Sequence, residues 1–236
     1  MNDQHAPRFE VAHAHRRGTR EYYCDAVAVH TTSDLTTAAA VVDGIGNSEK
    51  VAACSRLLAQ VAARVAARRN GLAGILSAGE LVADAGPDED DPEPDAVAVV
   101  AVAREGEETR VAWVGDSRAY GWTGSDLRQY TTDHTVGEQL RCNGAPLELA
   151  EDHDNWLRTS LSLAVVATVY TVEIPDPLVI LTSDGVHDSV PHEELIALVR
   201  KYQHEPQALA DALVAAAQPD EDGYRDDATA VVLRGC

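Results

Sequence analysis

The chain has 236 residues, enough for one domain with a full core, since single cores stop growing only near about 250–300 residues. Its 39 acidic and 19 basic side chains give a net charge of −20, which argues against nucleic acid and anionic membrane as partners, although the same acidity also serves solubility. No apolar run reaches the ~20 residues that span a bilayer. The N-terminus, MNDQHAPRFEVAHAHRRG, has no apolar signal core. Cys24, Cys54, Cys142 and Cys236 form no CxxC pair, which suits reduced thiols in a cytoplasmic protein.

In chain order, short valine-rich runs read as strands at Phe9–His13, Asp25–His30 and Ala38–Val42. Ser48 can cap a helix with Glu49 in its first turn. A 3.6-residue stripe of Val51, Cys54, Leu57, Leu58, Val61 and Val65 gives that helix its expected buried face. A second helix is expected from about Leu72 to Ala83. The stretch DAGPDEDDPEPD (84–95) reads as a solvated acidic loop rather than a metal trap. Further strands follow at Asp95–Ala103, Arg110–Val114, Arg118–Trp122, Val165–Glu173, Leu178–Thr182 and Thr229–Leu233. Helices are expected near Val136–Cys142, Pro191–Tyr202 and Pro206–Ala217. No repeat is visible, and the order predicts antiparallel sheets with helices outside rather than a parallel βαβ series.

Several strands deliver aspartates in the same way. AAAVVDG ends at Asp43, LVILTSDG at Asp184, and RVAWVGDSRAY carries Asp116 between two strand-like halves. YRDDATAVVL sets Asp226 and Asp227 before the last strand. Asp-Gly is also a hairpin signal. That alternative fits Asp43 and Asp184 poorly, because helix-like sequence follows each, and it stays open for Asp116. Carboxylates gathered at sheet ends repel one another and raise each other's pKa. A divalent cation removes that repulsion, and an all-oxygen donor set suits Mg²⁺ or Mn²⁺, whereas no His/Cys spacing matches zinc. The glycines after Asp43 lack the Lys-Ser/Thr of a P-loop.

VVDGIGN, VGDSRAY, LTSDGVHD and RDDATAVVL stand in the order and spacing of the motifs of the metal-dependent PP2C-type (PPM) serine/threonine phosphatases, in their compact bacterial form. The chain resembles that family from about Gly18 to Leu233. The resemblance implies an α+β fold, a four-layer αββα sandwich of two antiparallel sheets flanked by helix pairs, as a single domain over 1–236. It implies two or three Mg²⁺ or Mn²⁺ ions in a cleft at one end. Asp43 would bridge two metals with the Gly44 carbonyl on the first, Asp184 and Asp226 would complete the second, and Asp116 would share a weaker third with Asp184. GTREYYCDAVAV resembles the family's arginine-plus-acid segment, with Arg20 on the phosphate-binding arginine and Asp25 on the acid contacting metal-bound water. Tyr23 and Cys24 stand where the family has Asn-Glu, Asn47 replaces a glycine, and Asp227 replaces an asparagine.

The implied reaction is hydrolysis of phosphoserine or phosphothreonine by direct attack of a metal-bridging water, with Arg20 clamping the phosphoryl oxygens. His187 is a candidate general acid, against the plainer reading of a solvated histidine opening a helix. His134 in TTDHT reads as structural. Residues 135–155 are expected to form a flap beside the cleft. Trp113, Trp122 and Trp156 read as core or flap packing, and Cys24 as a small buried residue. The implied partners are phosphorylated proteins and a serine/threonine kinase, with a monomeric enzyme. The alternative is a catalytically weakened phosphatase-like binding module, which Cys24 favours and the retained aspartates oppose. A small-metabolite phosphohydrolase has no pocket signature of its own.

Overall fold

The computed structural model describes residues 9–83 and 93–235. The acidic stretch 84–95 therefore lies outside the described residues as far as residue 92, and Asp95 already opens a strand. One five-stranded sheet runs β1 (Phe9–Arg16), β10 (Ala228–Gly235), β9 (Leu178–Thr182), β6 (Arg118–Trp122), β7 (Leu127–Gln129). The other runs β2 (Asp25–Thr31), β3 (Thr37–Ile45), β4 (Asp95–Ala103), β5 (Thr109–Val114), β8 (Tyr170–Ile174). Neighbours pair antiparallel throughout both sheets.

Helices α1 (Glu49–Arg68) and α2 (Gly71–Gly79) cover the second sheet, while α6 (His192–Tyr202) and α7 (Pro206–Ala216) cover the first. The expected αββα sandwich is the one observed. Three apolar layers result, one under each helix pair and one between the sheets. Strand parity sorts the side chains among them. On β3, Ala38, Ala40 and Val42 face the helices, whereas Ala39 and Val41 face the opposite sheet. Both faces are buried, so the strand reads as a continuous apolar run rather than an alternating one.

The face of α1 differs from the expected stripe. Ser48 caps it as predicted, accepting the Val51 N–H at 3.2 Å. Val51 and Leu58 are buried as expected, but the rest of the buried face is mostly alanine (Ala52, Ala59, Ala62, Ala63 and Ala66), and Leu57 is 51% exposed. Small side chains let the helix lie close against the alanine-rich outer face of β3, and the larger Cys54, Val61 and Val65 are left half-buried at its margins. Helix α2 ends at Gly79, short of the expected Ala83. Strand β8 starts at Tyr170 because residues 165–169 close a turn, in which Thr168 Oγ1 accepts the Val165 N–H at 2.9 Å. Short elements escaped the sequence pattern: β7, α4 (Leu147–Glu151) and the one-turn α5 (Asp184–His187). The helix expected at Val136–Cys142 is present as α3.

Candidate active site

Strand parity running past the end of the apolar core places the candidate residue Asp43. The rows facing the opposite sheet, Val41 on β3, Val179 and Leu181 on β9, and Val231 on β10, continue to Asp43, Ser183 and Thr229. Asp25 pairs directly with Asp43 across β2 and β3, and Val97 on β4 is the partner of Asp43 on its other side. At this end of the sandwich the layer between the sheets changes from valine to carboxylate. Asp116 lies between β5 and β6, which belong to different sheets, so its turn is a crossover and not a hairpin. Gly115 makes that crossover with φ of +95°, and a β-carbon there would strike Val97.

A cleft of about 610 Å³ opens here. Arg20, Asp43, Gly44, Asp116, Asp184 and Asp226, all singled out from sequence, line it. Asp25 does not. It lies buried behind them, its Oδ2 accepting from Ser183 Oγ at 2.7 Å and Thr229 Oγ1 at 2.6 Å. The Tyr23 hydroxyl joins the same chain, 2.5 Å from Thr229 Oγ1. Arg20 reaches across the rim, donating from Nη1 to the Gly46 carbonyl at 3.2 Å and ion-pairing through Nη2 with Asp226, while its Nε has no partner.

Burial and crowding raise the carboxylates. Asp43 is pushed well above the usual carboxylate range by burial, then by the charges of Asp184, Asp25 and Asp116. Burial also raises Asp184, and a hydrogen bond from Asp43 offsets part of that rise. Asp25 and Asp116 are each raised to about 7, by burial first and by the Asp184 charge as well. Among the described residues no three acidic, histidine or cysteine side chains already converge into a metal cage. The cleft nevertheless offers only hard oxygen donors, with no thiol or imidazole in its lining, and its clustered carboxylates are short of positive charge. Those residues fit Mg²⁺ or Mn²⁺, which keep several waters among their ligands.

Other expected residues fall elsewhere. His187 closes α5 with its side chain facing away from the cleft, in a second cavity lined by Arg118, Tyr120 and His192. Its Nδ1 lies 2.8 Å from Thr182 Oγ1, and burial holds its pKa well below the ordinary value, so it is neither a cleft acid nor a solvated histidine. His134 is a buried prop for the Asp116 crossover: its Nδ1 accepts the Gly115 N–H at 3.2 Å, and its ring stacks on Trp113. Cys24 packs with Val51 and Ala52 behind Gly44, outside the cleft lining. Trp113 and Trp122 are core residues, but Trp156 is 59% exposed and rests on His153. From the 135–157 region, which carries α3 and α4, Asn155 and Leu157 reach the cleft wall.

Several lining residues were not picked out from sequence, among them Asp188, Tyr224 and Arg225. Asp188 follows Asp184 by four residues, a spacing that puts both on one side of a helical turn. Tyr224 donates its hydroxyl to Asp226 Oδ2 at 3.1 Å, and Arg225 follows it on the rim. Of these three, only Asp188 left a readable signal, in DGVHD.

No protein-family model matches the chain. It is 30% identical over 155 residues to probable protein phosphatase 2C 9 of Arabidopsis thaliana, a match covering 58% of this chain and 54% of that protein. The chain thus spans about half the length of that curated relative. Among solved structures, the S. agalactiae serine/threonine phosphatase superposes with a TM-score of 0.80 at 16% identity, over 96% of this chain and 99% of that one. The catalytic domain of the serine/threonine protein phosphatase PstP, solved with two manganese ions, gives a TM-score of 0.68 at 23% identity over 96% and 97%. The chain has the fold of the PP2C-type (PPM) serine/threonine phosphatases and is related in sequence to a plant protein phosphatase 2C over more than half of its length.

Proposed function

We propose that this chain is a metal-dependent phosphoprotein phosphatase, acting as a cytoplasmic monomer on phosphoserine and phosphothreonine placed by a serine/threonine kinase. The observation that carries the reading is one cleft in which the Arg20 guanidinium faces Asp43, Asp116, Asp184 and Asp226. Asp43, the Gly44 carbonyl, Asp184 and Asp226 would hold two Mg²⁺ or Mn²⁺ ions, and Asp116 would contribute to a third. Bound there, such ions supply an activated water and neutralise phosphoryl charge.

The rest falls to the chain itself. Arg20 exchanges its contact with Asp226 for the phosphoryl oxygens and orients them by paired N–H donors. Its unpartnered Nε provides one of those donors. Asp25, fixed by Ser183 and Thr229, backs the Asp43–Asp184 pair from inside the sandwich. Tyr224 steadies Asp226 from the rim. The test compares phosphate release from a phosphothreonine peptide by wild type and Arg20→Ala in saturating Mn²⁺. Loss of charge-assisted hydrogen bonds of about 1.5–3 kcal/mol should lower kcat/KM roughly ten- to a hundred-fold. Equal rates would remove Arg20 from the reaction.

A further inference from the structure

The segment that carries Arg20 is fastened at both ends by one buried carboxylate. Asp227, 1% exposed, accepts the Gly18 N–H on Oδ1 at 2.8 Å and the Cys24 N–H on Oδ2 at 2.7 Å. Arg20 lies between those two anchors. The strap is also stitched along its length to the chain just before Asp227. The Thr19 N–H donates to the Arg225 carbonyl at 2.9 Å, and the Arg225 N–H donates back to Thr19 Oγ1 at 3.3 Å. Gly18 lies so close to the backbone of Arg225 and Asp226 that a β-carbon there would collide with it. On the far side, Asn47 Oδ1 accepts the Tyr22 N–H at 3.0 Å.

We infer that Asp227 is a positioning residue which holds the Gly18–Cys24 strap so that Arg20 faces the substrate phosphate; the inference rests on the phosphatase reading above. Asp227 stands where the family that the chain resembles has asparagine, and here both of its oxygens accept from backbone N–H groups. An asparagine would turn its own NH₂ toward one of those donors and lose that anchor. Asp227 itself is outside the cleft lining, so its influence on turnover passes through the strap.

The experiment is a double-mutant cycle on kcat/KM for a phosphothreonine peptide, using wild type, Asp227→Asn, Arg20→Ala and the double variant in saturating Mn²⁺. Asp227→Asn should lower kcat/KM by up to about a hundred-fold, the loss that a displacement of roughly 1 Å can cause. In the Arg20→Ala background the same substitution should change it by no more than about twofold, because the group it positions is gone. The Mn²⁺ concentration giving half-maximal activity should stay at the wild-type value. A full loss recurring in the Arg20→Ala background overturns the inference, as does a wild-type rate for Asp227→Asn or a shifted Mn²⁺ requirement. If Asp227→Asn does not fold, Thr19→Ala cuts an exposed stitch of the same strap and goes through the same cycle. A loss confined to the Arg20 background supports positioning, and no loss or an additive one overturns it. A wild type that releases no phosphate overturns the phosphatase reading and this inference together. An active wild type with an additive cycle overturns this inference alone.

Discussion

Burial, with Asp184 as the strongest charge acting on Asp43, raises both acids, which favours the protonated form where no cation is bound. This gives Asp184→Asn two opposite effects. In metal-stripped protein the variant removes a crowded charge and should melt no lower than wild type. In Mn²⁺ it should lose at least about a hundred-fold in turnover, comparable to the loss of a preorganised electrostatic contact. Circular dichroism melts and phosphate release check the two halves separately. Wild-type turnover by the variant would count against a role for Asp184 in holding metal. At this scale the sequence was informative where an aspartate closes an apolar run, as Asp43 does, although β3 itself continues to Ile45. It was silent where the partner is distant in the chain: the Asp226–Arg20 contact and the Asp227 grip on Gly18 join residues more than 200 positions apart.

Helix α1 shows what composition conceals. Reading large apolar residues as the buried ones put Leu57 inside, yet the sheet it covers is faced with alanine and accepts alanine in return. Ala62→Leu should therefore destabilise the fold by about 1–3 kcal/mol through overpacking, whereas Leu57→Ser should change stability by less than about 0.5 kcal/mol. Urea unfolding midpoints measure both, and the reverse order would restore the stripe expected from sequence. Long strands and helices with clear periods were legible from the chain alone. The elements of a few residues, β7 and α5, carry too little pattern to be read and are fixed by tertiary neighbours: β7 by pairing with β6, α5 by packing beside β10.

Across the whole molecule, the acidic cleft ties stability to pH and to metal. Asp25 and Asp116 titrate near 7 in the metal-free fold, against about 3.9 when unfolded. The native state therefore binds more protons than the unfolded chain between about pH 4 and 7. Stability from these groups is fully present below about pH 4 and falls as pH rises to 7. Metal-stripped protein should accordingly melt at lower temperature at pH 7.5 than at pH 5, and Mn²⁺ should narrow that gap. At a hundred times its Kd, a ligand specific to the native state adds about 2.7 kcal/mol. Thermal melts at both pH values, with and without Mn²⁺, measure this, and a melting temperature indifferent to metal at pH 7.5 would contradict a cation site among these carboxylates.

Hydrolysis and metal come together in one titration: phosphate release from a phosphothreonine peptide by metal-stripped protein as Mn²⁺ is raised from zero, with chelator added back at the end. Release should be absent at the start, rise to saturation with Mn²⁺ and vanish again with chelator. Release that persists in chelator, or none at saturating Mn²⁺, would mean that this cleft is not a metal-dependent phosphatase centre.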